Sequence, residues 1–222
     1  MTQMIYGDAF SVIKKTKKWL KIKIKEDDYI GFVKTKKFFK FIRPTHKVSK
    51  LSAKVYKKPS FHKSSKKLTF GAKIRSERKK SRFTKFQNNW IETRNLKPIK
   101  FKSNNVFSNL SIFKNVRYKW GGKTFKGLDC SALVQLFFNF NNRYCPRDAK
   151  DQIKYFKKSI NLKKIKKNDI IYWKGHVAVA LSGKKLIHAY GPMKKTVVMS
   201  IDKTIERIKK TANLKVLAVK RL

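Results

Sequence analysis

Residues 118–134 read YKWGGKTFKGLDCSALV. Gly121-Gly122, then Gly127, then Asp129-Cys130-Ser131 lead straight into an apolar run. From Cys130 onward, Leu133, Val134, Phe137 and Phe140 recur at helical spacing. The pattern predicts a loop that turns into a buried helix at a cysteine. The first turn of a helix carries unpaired N–H groups and the positive end of the dipole. Both favour thiolate, the nucleophilic form, so Cys130 is expected to alkylate well below about pH 8. The same N–H groups, or a nearby phenol, can hold an oxyanion. The glycines give the approach loop conformations closed to residues with a Cβ. Asp129 can cap the helix or hydrogen-bond a ligand amine.

A thiolate needs a base. His176 opens the apolar run Gly175–Leu181, and His188 lies in the next strand-like segment. Ser182-Gly183-Lys184-Lys185 connects them. A hairpin loop of odd length centred near Ser182 or Gly183 puts both imidazoles on one sheet face, as opposite or diagonal neighbours. His188 is then able to orient His176. An even loop separates them and breaks this arrangement. Cys130, Cys145, His176 and His188 also offer zinc ligands, but zinc sites draw on close pairs and none of these residues forms one. No metal or cofactor is expected.

Composition bounds the partners. The 222 residues suit two or three compact units, and 41% hydrophobic with 13% aromatic residues is enough for real cores. Lys and Arg number 58 against 12 Asp and Glu, a formal charge of +46. Clustered cations bind polyanions. Here the lysines run through every segment and greatly outnumber arginine, which favours compositional drift over a dedicated nucleic-acid surface. No specific nucleic-acid partner is expected. Two cysteines with no CxxC pair point to a reducing compartment. The N-terminal MTQMIYGDAFSVIKK lacks an apolar leader core, and no segment approaches the roughly 20 apolar residues of a membrane span. A cytoplasmic protein is expected, periplasmic only if a leader has been removed, and a monomer.

The chain divides into three parts. Residues 1–43 read as short strands: Ala9–Ile13, a lysine-rich turn, the alternating Trp19–Ile24, a Glu26-Asp27-Asp28 turn, then Tyr29–Val33. Residues 44–101 repeat the theme with Lys47–Ser49, Ala53–Tyr56, a continuous Leu68–Ile74 run, Phe83–Phe86 and Trp90-Ile91. Pro44 and Pro98 fall near the boundaries. Residues 102–222 change character. After the cysteine helix comes a second helix over Asp148 to about Lys157. Strands follow at Ile170–Trp173, His176–Leu181, Leu186–Ala189, Val197–Ser200 and Lys215–Val219. Helices followed by antiparallel strands make an α+β layout.

These motifs carry a resemblance. The first two parts resemble bacterial Src-homology-3-type domains, the first through Gly7, Phe10, Val12, Trp19, Ile22, Asp28, Tyr29, Gly31, Phe32 and Val33. The last part resembles the NlpC-type cysteine peptidases that cleave peptidoglycan stem peptides. Tyr118, Trp120, Gly121, Gly122, Gly127, Asp129, Cys130, Ser131 and Val134 match the first motif of that family. Pro146-Arg147-Asp148-Ala149 with Gln152 match the second, and Asp169, Ile171–Trp173, His176–Val179 and Ile187–Ala189 the third. Ala132 and Asn168 stand where the family usually has glycine; Asn tolerates the left-handed turn.

The resemblance implies a papain-like cysteine peptidase core, helices packed on an antiparallel sheet, behind two small all-β barrels. It implies Cys130 as nucleophile, His176 as general base, His188 as the orienting residue and Tyr118 as an oxyanion donor. The barrel arrangement is similar to that of γ-D-glutamyl-L-diamino-acid endopeptidases of muropeptide recycling, thiol proteases whose first barrel limits the site to stem peptides with a free N-terminal L-Ala. In that reading Glu26 or Asp28, with Tyr29, holds the amine, and Asp129, Ser131, Asp148 and Ala149 line the rest of the pocket. The partner is then an L-Ala-γ-D-Glu-diaminopimelate peptide. Two alternatives stay open: acyl transfer on the same Cys-His core, and a non-catalytic basic barrel module binding nucleic acid or anionic cell-wall polymer.

Overall fold

A computed structural model describes every residue except 37, 63 and 65. The chain divides into two compact units. The first comprises Met1, Gln3–Val106 and Asn139–Tyr144; the second comprises Thr2, Phe107–Phe138 and Cys145–Leu222.

The first unit is built on three antiparallel sheets. Phe10–Lys15, Trp19–Ile24 and Ile30–Lys34 form a meander. Its middle strand alternates, burying Leu20, Ile22 and Ile24 against Phe10, Tyr29 and Val33, while its lysines face out. The sequence reading has a lysine-rich turn over residues 14–18. The strand instead continues to Lys15, and the turn is closed by Thr16, whose N–H donates to Trp19 O at 2.8 Å. A five-stranded sheet runs Lys66–Thr69, Ser52–Tyr56, Asn89–Glu92, Phe83–Phe86, Arg78–Lys80. A three-stranded one runs Leu96–Pro98, His46–Val48, Lys73–Ile74. The Leu68–Ile74 run is therefore not one strand. Gly71, at φ 79°, turns the chain so that its halves join different sheets around Val48, Ala72, Ile74, Ile91 and Leu96.

The second unit has an α+β layout. A six-stranded antiparallel sheet runs Ser159–Ile160, Ala218–Lys220, Ile170–Trp173, His176–Ala180, Lys185–Tyr190, Lys195–Ser200. Helix α1 spans Cys130–Phe140, α2 Ala149–Tyr155 and α3 Ile201–Ala212. α1 is apolar almost all round and accordingly buried: Leu133, Val134, Leu136, Phe137 and Phe138 are each at most 2% exposed. α3 was not anticipated from the sequence, which gave only strands on either side of it. Its Ile201, Thr204 and Ile208 nevertheless stand at helical spacing and are its buried face, and Asn213 stops it in the left-handed conformation at φ 52°. Asn168, where glycine is usual, takes φ 74° and keeps its turn. None of the described helices is long and apolar enough to cross a membrane.

Phe137 is 1% exposed and meets Phe107 and Phe113 ring to ring. Phe137→Ala is expected to cost about 3–5 kcal/mol of unfolding free energy, read as a lowered midpoint in chemical denaturation.

Candidate active site

Asp129 begins the site. It precedes α1, and its Oδ1 accepts from the Ala132 N–H at 2.9 Å, the helix-capping alternative read from the sequence. Its Oδ2 accepts from the Gly121 N–H at 2.8 Å. Arg147 then closes on both oxygens, Nη1 to Oδ1 at 3.0 Å and Nη2 to Oδ2 at 2.6 Å. The side chains are 2% and 9% exposed. Ser131 Oγ donates to Asp129 Oδ1 at 3.2 Å and accepts from Arg147 Nη1 at 2.9 Å. One carboxylate thus ties the glycine loop, the first turn of α1 and the segment before α2 together. The loop must pass close: a Cβ on Gly122 would lie 2.5 Å from Gly127 O. Gln152 of α2 adds a second tie, donating to Ser131 O at 3.0 Å and Pro146 O at 2.9 Å.

Cys130 is the first residue of α1 and 6% exposed. The backbone N–H groups of Val177 and Ser131 point at its sulfur, which places the thiol beside the start of the His176–Ala180 strand. The register there settles the parity of the hairpin. Val179 faces Ile187, Ala180 faces Leu186 and the Leu181 N–H donates to Lys185 O, so the turn centres on Gly183. His176 and His188 are diagonal neighbours on one face, with His176 Nε2 and His188 Nδ1 2.8 Å apart. That contact uses His176 Nε2 and leaves Nδ1 as the other ring nitrogen.

Two aromatic residues not read as site members enclose this pair. Trp173 lies directly across the strand pair from His176, its ring 5.6 Å away. Tyr190 stacks on His188 at 4.6 Å with 10° between the planes, and its ring lies 5.7 Å from that of His176. Tyr190 stands two residues after His188, so strand alternation alone puts it on the same face. Tyr118 is half-buried against Gly191, and burial with the neighbouring Cys130 and Asp129 pushes its phenol up to about 12. It stays protonated and able to donate.

Electrostatics differ from the sequence expectation for the thiol. Burial, and then the Asp129 charge, push Cys130 up to about 12, against which the two N–H groups and Arg147 act weakly. Burial lowers His176 to about 4, and burial with His176 lowers His188 to about 3. A buried thiol loses more hydration on ionising than a helix terminus returns. The resting pair is neutral thiol and neutral imidazole.

The remaining expected residues fall as follows. In the second unit, Asp148 precedes α2 with its carboxylate half-buried and not capping the helix, and Ala149 opens α2, 8% exposed. In the first unit, Glu26 Oε1 pairs with Lys73 Nζ at 2.6 Å, and Asp28, at φ 58°, pairs with Lys23 at 2.8 Å on the surface. The Tyr29 hydroxyl accepts from the Met1 ammonium at 2.6 Å.

Comparison with known proteins finds two matched segments. Residues 115–213 match the NlpC/P60 family and residues 1–38 the bacterial dipeptidyl-peptidase Sh3 domain. The chain therefore carries an NlpC/P60 domain behind a bacterial Src-homology-3-type domain. It is 34% identical over 89 residues to dipeptidyl-peptidase 6 of Lysinibacillus sphaericus, covering 40% of this chain and 32% of that protein. It is 31% identical over 103 residues to gamma-D-glutamyl-L-lysine dipeptidyl-peptidase of Bacillus subtilis (strain 168), covering 43% and 34%. The matches thus span about a third of the length of these curated relatives. Among solved structures, an NlpC/P60 family protein from Bacillus cereus ATCC 10987 superposes with a TM-score of 0.81 at 18% identity, covering 99% of this chain and 81% of the other. That likeness establishes the fold, an α+β core preceded in the chain by an all-β N-terminal region.

Two outcomes follow from the geometry. With the thiol raised to about 12, alkylation of Cys130 by iodoacetamide should keep climbing from about pH 7 to about pH 9; a plateau below pH 8 would contradict the neutral pair. Arg147→Met leaves Asp129 buried without its counter-charge and should cost about 3–5 kcal/mol of stability, measured by denaturant titration.

Proposed function

We propose that the protein is a cysteine endopeptidase that hydrolyses the γ-D-glutamyl–diamino acid bond of peptidoglycan stem peptides bearing a free N-terminal L-Ala. The observation that carries the reading is the bonded pair His176 Nε2–His188 Nδ1 at 2.8 Å, beside a helix-start thiol at which the Val177 N–H points. The name of the B. subtilis relative, a gamma-D-glutamyl-L-lysine dipeptidyl-peptidase, supports the bond class.

The chemistry starts from the neutral pair. As the sulfur attacks the γ-carbonyl carbon, the thiol proton passes to His176 Nδ1, so no free thiolate has to persist in a dry site. His188 accepts from His176 Nε2–H and holds the ring in plane during that transfer. Negative charge gathers on the carbonyl oxygen, where the Tyr118 hydroxyl and the N–H groups at the start of α1 can receive it. His176 then gives its proton to the departing amine of the diamino acid. Water, deprotonated by His176 in turn, cleaves the thioester and releases L-Ala-D-Glu. In this reading Asp129 and Ser131 serve by shaping the pocket through Arg147, while Asp148 is the half-buried carboxylate free for substrate. Glu26, Asp28 and Tyr29 are proposed to select the free amine.

Mass spectrometry on L-Ala-γ-D-Glu-diaminopimelate tests the proposal. Wild type should release L-Ala-D-Glu, Cys130→Ala should release none, and N-acetylation of the substrate should block cleavage. Absence of product from wild type, together with tight, strongly salt-dependent polyanion binding, would favour the basic-module alternative.

A further inference from the structure

The row of side chains does not stop at His188. The Lys195–Ser200 strand pairs with the strand carrying His188, with Val197 opposite it. Met199 is two residues on and therefore on the same face. Its Sδ lies 3.5 Å from His188 Nε2. His176, His188 and Met199 thus form a diagonal across three adjacent strands, and His188, in the middle, is fully buried.

We infer that Met199 is a positioning residue for the Cys130–His176 pair, because its thioether fixes which nitrogen of His188 carries the proton. This rests on the peptidase reading above. A thioether has no proton to give and can only accept. A bare Nε2 on the fully buried His188 would set two lone pairs against each other, so Nε2 carries the hydrogen and donates to Met199. A neutral imidazole has one N–H, so His188 Nδ1 is then an acceptor. The 2.8 Å contact with His176 Nε2 therefore requires His176 to be the donor there. His176 Nδ1 is consequently bare and basic toward Cys130. The opposite choice at His188 would reverse every member of the row: Nδ1–H would donate to His176 Nε2, placing the hydrogen of His176 on Nδ1, the nitrogen that the peptidase reading assigns to the thiol proton. Such an imidazole cannot take the thiol proton at that nitrogen. The stack of Tyr190 on His188 fixes the ring plane but makes no choice between the nitrogens; the sulfur makes it.

Met199→Leu removes the acceptor at nearly constant volume. Met199→Gln restores one, an amide oxygen at similar reach. In the Leu variant kcat on the stem tripeptide should fall about five- to tenfold, the effect of one neutral hydrogen bond, with KM changed less than about twofold. The Gln variant should recover most of the loss. Nitrogen-15 NMR of the histidine rings, which reads the tautomer directly, should show His188 protonated on Nε2 in wild type and a mixture in the Leu variant. Wild-type kcat in a folded Leu variant, failure of Gln to improve on Leu, or a wild-type His188 protonated on Nδ1 would each overturn the inference. The peptidase reading fails separately, through turnover that survives His176→Ala or an inert wild type, and the NMR arm still decides the role of Met199.

Discussion

The buried ion pair between Arg147 and Asp129 is the constraint on which the site depends. Burying two charges costs several kcal/mol each, and the pair recovers this only if geometry and hydrogen bonds are complete. Here they are. Asp129 Oδ1 receives Ala132 N–H, Ser131 Oγ and Arg147 Nη1; Oδ2 receives Gly121 N–H and Arg147 Nη2. Each donor belongs to a segment that has to converge for the thiol to be placed: loop, helix start and the approach to α2. Lysine is no substitute in this position, despite its abundance in the chain, because the fork of the guanidinium meets both oxygens at once. The carboxylate therefore acts on the chemistry through what it holds rather than through what it touches.

Desolvation then sets the protonation of the reacting groups. A helix start is expected to make thiolate, and a solvated cysteine there would oblige. Cys130 is instead enclosed, and burial moves thiol and imidazole in opposite directions, both toward their neutral forms. The proton remains on sulfur until an electrophile arrives, and transfer to His176 becomes part of the attack. A neutral pair makes tautomer identity matter more than charge, because an imidazole with its hydrogen on the nitrogen that faces the thiol offers its base to the wrong side. In the reading above, the row from His176 through the fully buried His188 to Met199 controls that identity.

What the sequence made legible follows from local pattern. Helical spacing of Leu133, Val134 and Phe137 gave α1, and the glycine loop gave its start. The short Ser182–Lys185 connection was enough to reduce the histidine geometry to a question of parity, which the centring on Gly183 answers. The α+β class was readable from the order of helices and strands. Elements decided by tertiary context were not. The Leu68–Ile74 run reads as one strand, yet Gly71 sends its halves to different sheets. α3 carries a helical pattern, but its lysines and threonines look like loop unless Ile201, Thr204 and Ile208 are read together. The pairing of Arg147 with Asp129 spans 18 positions and has no spacing rule. Met199 had no sequence signal, since only strand register brings its sulfur to His188.

The lysine content fits this picture once position is weighed with number. In the meander Lys14 sits opposite Lys21, a like-charge pairing that costs a little on any sheet; Lys14 is exposed and Lys21 only partly buried, so water keeps the cost small. The cores beneath remain Leu, Ile, Val and Phe. Lys47 shows what a lysine needs in order to leave the surface. It is 1% exposed, and its ammonium donates to Phe101 O at 2.7 Å, Phe140 O at 2.5 Å and Asn142 Oδ1 at 3.2 Å, one acceptor for each N–H. Burial, with Lys73 and Lys102 nearby, lowers it to about 8 even so. All three acceptors lie in the first unit with Lys47 itself. A charge admitted to the interior with every proton assigned is structural, and the same accounting, applied to Asp129 and to His188, is what turns a lysine-flooded chain into a defined site.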